Sequence, residues 1–318
     1  MSFSGEVKAE ICQQIGSARH CQIAELAALL NFCATVAAFD NGSCRIRFRT
    51  EHEEVAGKYC LLLKRIFGIE TVVTEAVDRR GMKLGGFQVM LDNSTDAVRV
   101  LQAVRLLDSN GNLAEEIPLT HQPTVQKSCC RRAFLRGTFL AAGSISDPNR
   151  SYHFEVSCMN ETYAEQLLEL ICSLGVDAKI VQRKKYSVIY VKESSQISDL
   201  LGMMDAHVSM LNFENARIVR EVRGNINRQV NCETANINKT ANAAARQIED
   251  IELIIQELGL HNLTNRLDEI AQIRLKYPSA TLSEMGMMLE PPLGKSGVNH
   301  RLRKLTEIAN KIREEKGI

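Results

Sequence analysis

At 318 residues the chain has room for two domains of ordinary size. Hydrophobic residues make up 45% and charged residues 24%, which excludes a disordered chain, a collagen and a disulfide-stapled miniprotein. Lys and Arg number 39 against 38 Asp and Glu, a net charge of +1, so any nucleic-acid contact must come from a local basic patch rather than the whole surface.

The N-terminal MSFSGEVKAEI lacks a basic stretch followed by an apolar one, so no signal peptide is expected. No run approaches the ~18 apolar residues of a membrane span. The expected location is the cytoplasm.

The first two thirds of the chain repeat. RFRTEHEEVAGKYCLLLKRIFGIETVV parallels FEVSCMNETYAEQLLELICSLGVDAKIV, with Gly68 against Gly175 and Leu61 against Leu168, an offset of 107. Upstream, AELAALLNFCATVA parallels AFLRGTFLAAGSIS, with Ala28 against Gly137, an offset of 109. Each unit reads in the same order. An apolar helix rich in small residues leads into an alternating hairpin. An amphipathic helix follows and stops at Gly68 or Gly175, the glycine expected just past a helix end. A second hairpin and a closing helix complete an αββαββα unit, twice over. The expected fold class is α+β, with two such units about an internal pseudo-two-fold axis.

Ten cysteines are scattered through these units, none in a Cys-x-x-Cys pair, and most in apolar runs such as LLNFCATVAAF. They read as reduced, buried thiols of a reducing compartment. The adjacent pairs His20–Cys21 and Cys129–Cys130 are poor chelating geometry on one element, so no metal site and no cofactor are expected.

Arg217 to Thr240 is rich in Asn and Thr and weak in apolar periodicity, and it reads as an interdomain connector. Its Arg220, Arg223 and Arg228 suit either phosphate contact or solvent. The expected divisions are a two-repeat domain over 1–220, a connector over 221–245 and a helical domain over 246–318.

The last part is helical. ARQIEDIELIIQEL has a clear 3.6-residue period, and three shorter helices follow: NRLDEIAQIRLKYP, TLSEMGMMLE and KSGVNHRLRKLTEIANKIREE. Thr281 and Glu284 have capping-box spacing, and Ser296 is a candidate N-cap for the final helix. Three short helices with apolar inner faces are the minimum helix-turn-helix unit. Stepping 100° per residue from Val298 puts Leu302 and Leu305 on the same stripe, and Asn299, His300, Arg303 and Lys304 on the other side. No acid occurs from Lys295 to Thr306. Arg can bind guanine and Asn adenine in a major groove. The Lys295-Ser296-Gly297 start offers free N–H groups and a positive helix end to a phosphate. A merely solvated face is the ordinary alternative; the trihelical context and the Gly-Lys-Ser-Gly start favour DNA. A nucleotide-binding loop is rejected, because its first glycine would fall at Leu289 and no strand precedes it.

The helices LAALLNFCA and LRGTFLAAG resemble the paired signature helices of LAGLIDADG homing endonucleases. That resemblance implies close helix packing along the pseudo-two-fold axis, with a metal-binding acid at the foot of each helix. Those positions fall at Cys33 and Ala142, and neither supplies the oxygen ligand a Mg²⁺ site needs. Asp40 and Asp147 lie downstream, where loop acids are ordinarily solvated, so no catalysis is expected. The family's hairpins form a DNA-facing saddle. Here Arg45, Arg47 and Arg49 recur at period two, with Cys44, Ile46 and Phe48 on the other face. The matching second-unit strand carries Glu155 instead, although Lys179, Arg183, Lys184 and Lys185 form another basic cluster.

The whole chain resembles the WhiA family of Gram-positive bacteria. MSFSGEVKAE, FLRGTFLAAGSISDP, NRQVNCETANINKT, RQIEDI and EPPLGKSGVNHRLRKL carry the resemblance. It implies a pseudo-two-fold LAGLIDADG-like repeat followed by an all-α helix-turn-helix domain. It also implies a nucleoid-associated, double-stranded-DNA-binding protein of cell division, chromosome segregation and, in sporulating relatives, sporulation. In some relatives the role is that of a transcription regulator. The expected DNA-binding residues are Lys295, Ser296, Gly297, Asn299, His300, Arg303 and Lys304, with Arg45, Arg47 and Arg49 on the saddle. Division or transcription proteins are the other expected partners. The alternative is an interaction or ligand-sensing protein whose repeat domain binds its partners without DNA.

Overall fold

The computed structural model describes residues 2–38, 43–77, 82–107 and 122–317. The chain forms two compact units, Met1–Glu221 and Val222–Ile318.

The first unit opens with helix α1 (Phe3–Gln13), capped by Ser2, whose side chain accepts from the Gly5 N–H at 3.2 Å. The first repeat follows as α2 (Arg19–Cys33), β1 (Ala34–Ala38), β2 (Cys44–Thr50), α3 (Glu53–Phe67), β3 (Val73–Val77), β4 (Lys83–Leu91) and α4 (Ser94–Ala103). The second is α5 (Ser128–Ala142), β5 (Gly143–Ile145), β6 (Phe154–Cys158), α6 (Glu161–Cys172), β7 (Lys179–Arg183), β8 (Tyr186–Val191) and α7 (Ser194–Met203). The αββαββα order therefore occurs twice. Both repeats build a four-stranded antiparallel sheet of the same topology, β1-β2-β4-β3 and β5-β6-β8-β7. Gly68 stands in the left-handed conformation at φ 75° and closes α3, as its position in the sequence leads one to expect.

The two small-residue helices α2 and α5 pack on each other more extensively than any other pair. The reason is visible at Gly137. A Cβ there would stand 2.4 Å from the Glu25 carbonyl oxygen and 2.9 Å from the Ala28 Cβ, so only glycine lets the backbones approach this closely. One apolar core unites both repeats and includes Leu26, Leu29, Phe48, Tyr59, Phe134, Phe139 and Phe154. Within it the Phe48 and Tyr59 rings stack at 4.1 Å.

A charged cluster crosses this core. Glu25 on α2 forms an ion pair with Lys58 of α3 at 2.6 Å and accepts from Arg136 of α5 at 3.0 Å. The Lys58 ammonium also donates to the Ile11 and Gln14 carbonyls, and Arg136 pairs with Asp205. Glu25, Lys58 and Arg136 are all buried, and burial pulls the Lys58 ammonium below its ordinary pKa while Glu25 opposes that.

The segment read as a connector is helical. Residues 207–257 form a single 51-residue helix, α8 (His207–Glu257). Its start is held by Glu10, whose carboxylate accepts from the Val208 and Ser209 N–H groups at 2.8 Å. Phe213 near one end and Ile251 and Ile254 near the other are buried in apolar cores. Between them, residues 221–243 are almost wholly exposed. That stretch has no proline and a single glycine, so a helix anchored at both ends continues through it at one hydrogen bond per residue. Its apolar residues Val222, Ile226, Val230 and Ile237 recur at helical spacing but are exposed, a single thin row among Asn, Thr and charged residues.

The second unit completes α8 and adds α9 (Asn265–Lys276), α10 (Leu282–Met287) and α11 (Lys295–Lys316). The Thr281–Glu284 capping box is formed in full. Ile254, Ile270, Met285, Leu289, Val298, Leu302 and Leu305 lie in its core. Among the described residues, no helix is long and apolar enough to cross a membrane.

Candidate nucleic-acid interface

The outer face of α11 is set by what its inner face buries. Val298, Leu302, Leu305, Ala309 and Ile312 are buried against α8, α9 and α10. Gly286 lets the α10–α11 loop fold back, since a Cβ there would stand 2.1 Å from the Leu293 carbonyl oxygen. With that seam fixed, Lys295, Ser296, Asn299, His300, Arg303 and Lys304 are all exposed, and Gly297 is half-buried. The helical wheel therefore describes the helix correctly, with one correction: Gly294, not Ser296, is the N-cap, and Ser296 makes no cap hydrogen bond. Glycine at this cap leaves the first N–H groups of α11 without a side-chain partner.

Ion pairing sorts the basic residues of this helix. Arg301 pairs with Glu269 at 3.2 Å, Arg313 with Asp250 at 2.7 Å, and Lys316 with Glu257. Lys295, Arg303, Lys304 and Lys311 have no ion-pair partner among the described residues. The cations that brace the fold thus lie apart from those turned to solvent. Lys295 and Asn299 also line a cleft of about 500 Å³ together with Lys239, Gln247, Arg274 and Ser283. Arg274, which the sequence does not single out, is buried and donates to the Pro278 and Ala280 carbonyls, fixing the turn before α10.

On the repeat unit, β2 alternates as expected. Cys44, Ile46 and Phe48 are buried, while Arg45, Arg47 and Arg49 are exposed. Two of the three arginines are engaged: Arg45 with Asp92 at 3.7 Å, and Arg49 with the Leu84 carbonyl at 3.1 Å. In the second repeat, Glu155 accepts from His153 and Arg183, which cancels charge where the first repeat has arginine. Arg220 is no solvated connector residue. It lies 4.5 Å over the Tyr152 ring and donates to the Pro148 carbonyl.

Cys33 and Ala142 are the last residues of α2 and α5, the positions at which a LAGLIDADG nuclease carries its metal-binding acids. Burial pushes the Cys33 thiol up to about 12, so it is no ready anionic ligand. The buried Lys8 stands nearby, its ammonium 5.8 Å over the Phe139 ring, and it opposes a cation there. Asp147 is tied up in its own loop, accepting from the Asn149 backbone N–H at 2.9 Å. Asp40 lies outside the described residues.

The cysteines differ from expectation. All ten are free, but only Cys44, Cys130 and Cys158 are buried. The two adjacent His/Cys and Cys/Cys pairs, set aside as poor chelates, are brought together. His20, Cys21, Cys129 and Cys130 place their donor atoms within 4.8 Å of one another. Each pair chelates poorly alone, as argued, but the fold joins the two pairs into one four-donor set. The repeat offset of 109, which aligns His20 with Cys129 and Cys21 with Cys130, was the signal in the sequence.

A duplicated αββαββα unit, closed through small-residue helices and followed by three helices with a basic outer face, defines a LAGLIDADG-like protein carrying a helix-turn-helix. Family models agree in chain order: the WhiA N-terminal LAGLIDADG-like domain over 19–107, the WhiA LAGLIDADG-like domain over 131–223, and the WhiA C-terminal HTH domain over 226–309. A "probable cell division protein WhiA" of Lachnoclostridium phytofermentans is 49% identical, over 99% of this chain and 100% of its own. That of Heliobacterium modesticaldum is 42% identical over 100% and 99%. The crystal structure of full-length WhiA from Thermatoga maritima shares the fold at a TM-score of 0.59 and 24% identity, covering 98% of this chain and 99% of that one. The chain belongs to the WhiA family.

Proposed function

We propose that this protein is a non-catalytic, DNA-binding regulator of bacterial cell division, and that α11 is its reading element. The observation that carries this is the division of α11 into a locked apolar seam and an exposed face of Lys295, Asn299, His300, Arg303 and Lys304. In the major groove Arg303 and Asn299 suit base edges, while Lys295 and Ser296 suit a phosphate, with Gly297 keeping the approach uncrowded as its own N–H donates to the Gly294 carbonyl at 3.0 Å. The exposed Arg45, Arg47 and Arg49 of β2 serve as a second, sequence-blind contact. The names of the relatives support a division role, and transcription regulation, chromosome segregation and sporulation are the programmes such a nucleoid-associated, cytoplasmic protein would serve. Cys33, Ala142 and Lys8 at the helix feet support a scaffold that binds without cutting.

Duplex binding by the full chain should weaken linearly on a log–log plot against salt. Arg303→Ala should cost about 1–3 kcal/mol and relax preference at one position, whereas Lys295→Ala should weaken all sequences alike and reduce the salt slope by about one. Binding that is indifferent to both substitutions would overturn the assignment of α11. A second reading rests on the half-neutralised saddle, in which Glu155 holds Arg183 and Asp92 faces Arg45. There the repeat unit docks a division protein, and capture of that partner should survive loss of DNA binding through α11.

A further inference from the structure

The His20, Cys21, Cys129 and Cys130 cluster lies far from the helix feet, at the opposite ends of α2 and α5. His20 and Cys21 are the second and third residues of α2, and Cys129 and Cys130 hold the same places in α5. The internal symmetry therefore brings two donors from each repeat to one point. The His20 Nδ1 lies 3.2 Å from the Cys130 Sγ and 3.3 Å from the Cys21 Sγ. A tetrahedral zinc with Zn–S bonds of about 2.3 Å needs sulfurs about 3.8 Å apart, so the donors are already near the required spacing. Three sulfurs and one imidazole nitrogen are a soft donor set that suits Zn²⁺ and disfavours Mg²⁺ or Ca²⁺.

We propose that these four residues form a Cys3His site for one zinc ion, which clamps the N-terminal turns of α2 and α5. The surroundings suit it. Neither helix has an acid in its first turn, and both direct a positive dipole end at the cluster. Three thiolates and one neutral imidazole around Zn²⁺ carry one net negative charge, which those helix ends stabilise. Binding releases the three thiol protons to solvent, with no change of oxidation state. Cys130 is buried and Cys21 half-buried, while His20 and Cys129 are exposed, so the ion has a route in. The site is structural: all four positions are filled by protein, leaving none open for a reacting water.

The test uses the full chain purified under reducing conditions. After dialysis against metal-free buffer, elemental analysis should find about one zinc per chain, and zinc should raise the melting temperature. Replacement by Co²⁺ should give the intense visible bands of a tetrahedral thiolate site. His20→Ala and Cys129→Ser, both at exposed positions, should weaken zinc binding about tenfold or more with circular dichroism unchanged. Cys232→Ser, on the exposed part of α8, should bind as the parent does. Absence of stoichiometric zinc together with an octahedral Co²⁺ spectrum would overturn the proposal. So would binding that is unchanged in both variants, or a disulfide among Cys21, Cys129 and Cys130 in the reduced preparation. The parent Co²⁺ spectrum decides the matter even if a variant does not fold.

Discussion

Glu25 shows how much one buried side chain can organise. Lys58 and Arg136 both contact it in the core, and all three groups are out of solvent. Removing it leaves the buried Lys58 without an ionic partner and Arg136 with Asp205 alone. Glu25→Ala should therefore destabilise the protein by about 3–5 kcal/mol, read as a lowered denaturant midpoint in urea. Nothing in the sequence discloses this role. Glu25 lies inside the run AELAALL, Lys58 inside GKYCLLLK, and Arg136 lies 111 positions after Glu25, so only the packed helices reveal the contact. The outer face of α11 is the opposite case. Its exposed residues follow from the spacing of Val298, Leu302 and Leu305 alone, because a single helix against a single core obeys one period.

Two elements separate what a sequence pattern can and cannot carry. In α5, Gly137 matters through an approach to α2 that leaves no space for a methyl group. Gly137→Ala should force the helices apart at a cost of about 1–3 kcal/mol, visible as a lower melting temperature. The small-residue character of both helices already points to that contact. In α8, the exposed residues 221–243 bury no face, and their thin apolar row of Val222, Ile226, Val230 and Ile237 is outnumbered by Asn, Thr and charged residues, so they read as a connector. Their helicity comes from the anchors at Phe213 and at Ile251 and Ile254. With no packed side chains around them, their amides should exchange with solvent well ahead of those in α2 and α5, as hydrogen-exchange mass spectrometry would show.

At the scale of the molecule, the duplicated architecture was legible because each repeat carries the same succession of periods and the same glycine helix stop. The meeting of His20 and Cys21 with Cys129 and Cys130 was legible only through that repeat, since ligand spacing is judged along a chain and here it is set across a symmetry axis. That axis is also imperfect in a way that matters. The offset of 109 sets Phe134 opposite Glu25 and Ala27 opposite Arg136, so the acid belongs to one half and its guanidinium to the other. The halves have become complementary and are no longer equivalent. A self-paired second half would set a phenyl ring where Arg136 now meets Glu25, leaving it Asp205 alone, and residues 122–206 produced alone should fail to pair as the two halves of the tandem do, a result sedimentation would register. Neither half can stand in for the other, because Glu25 and Arg136 meet only across the junction of the two.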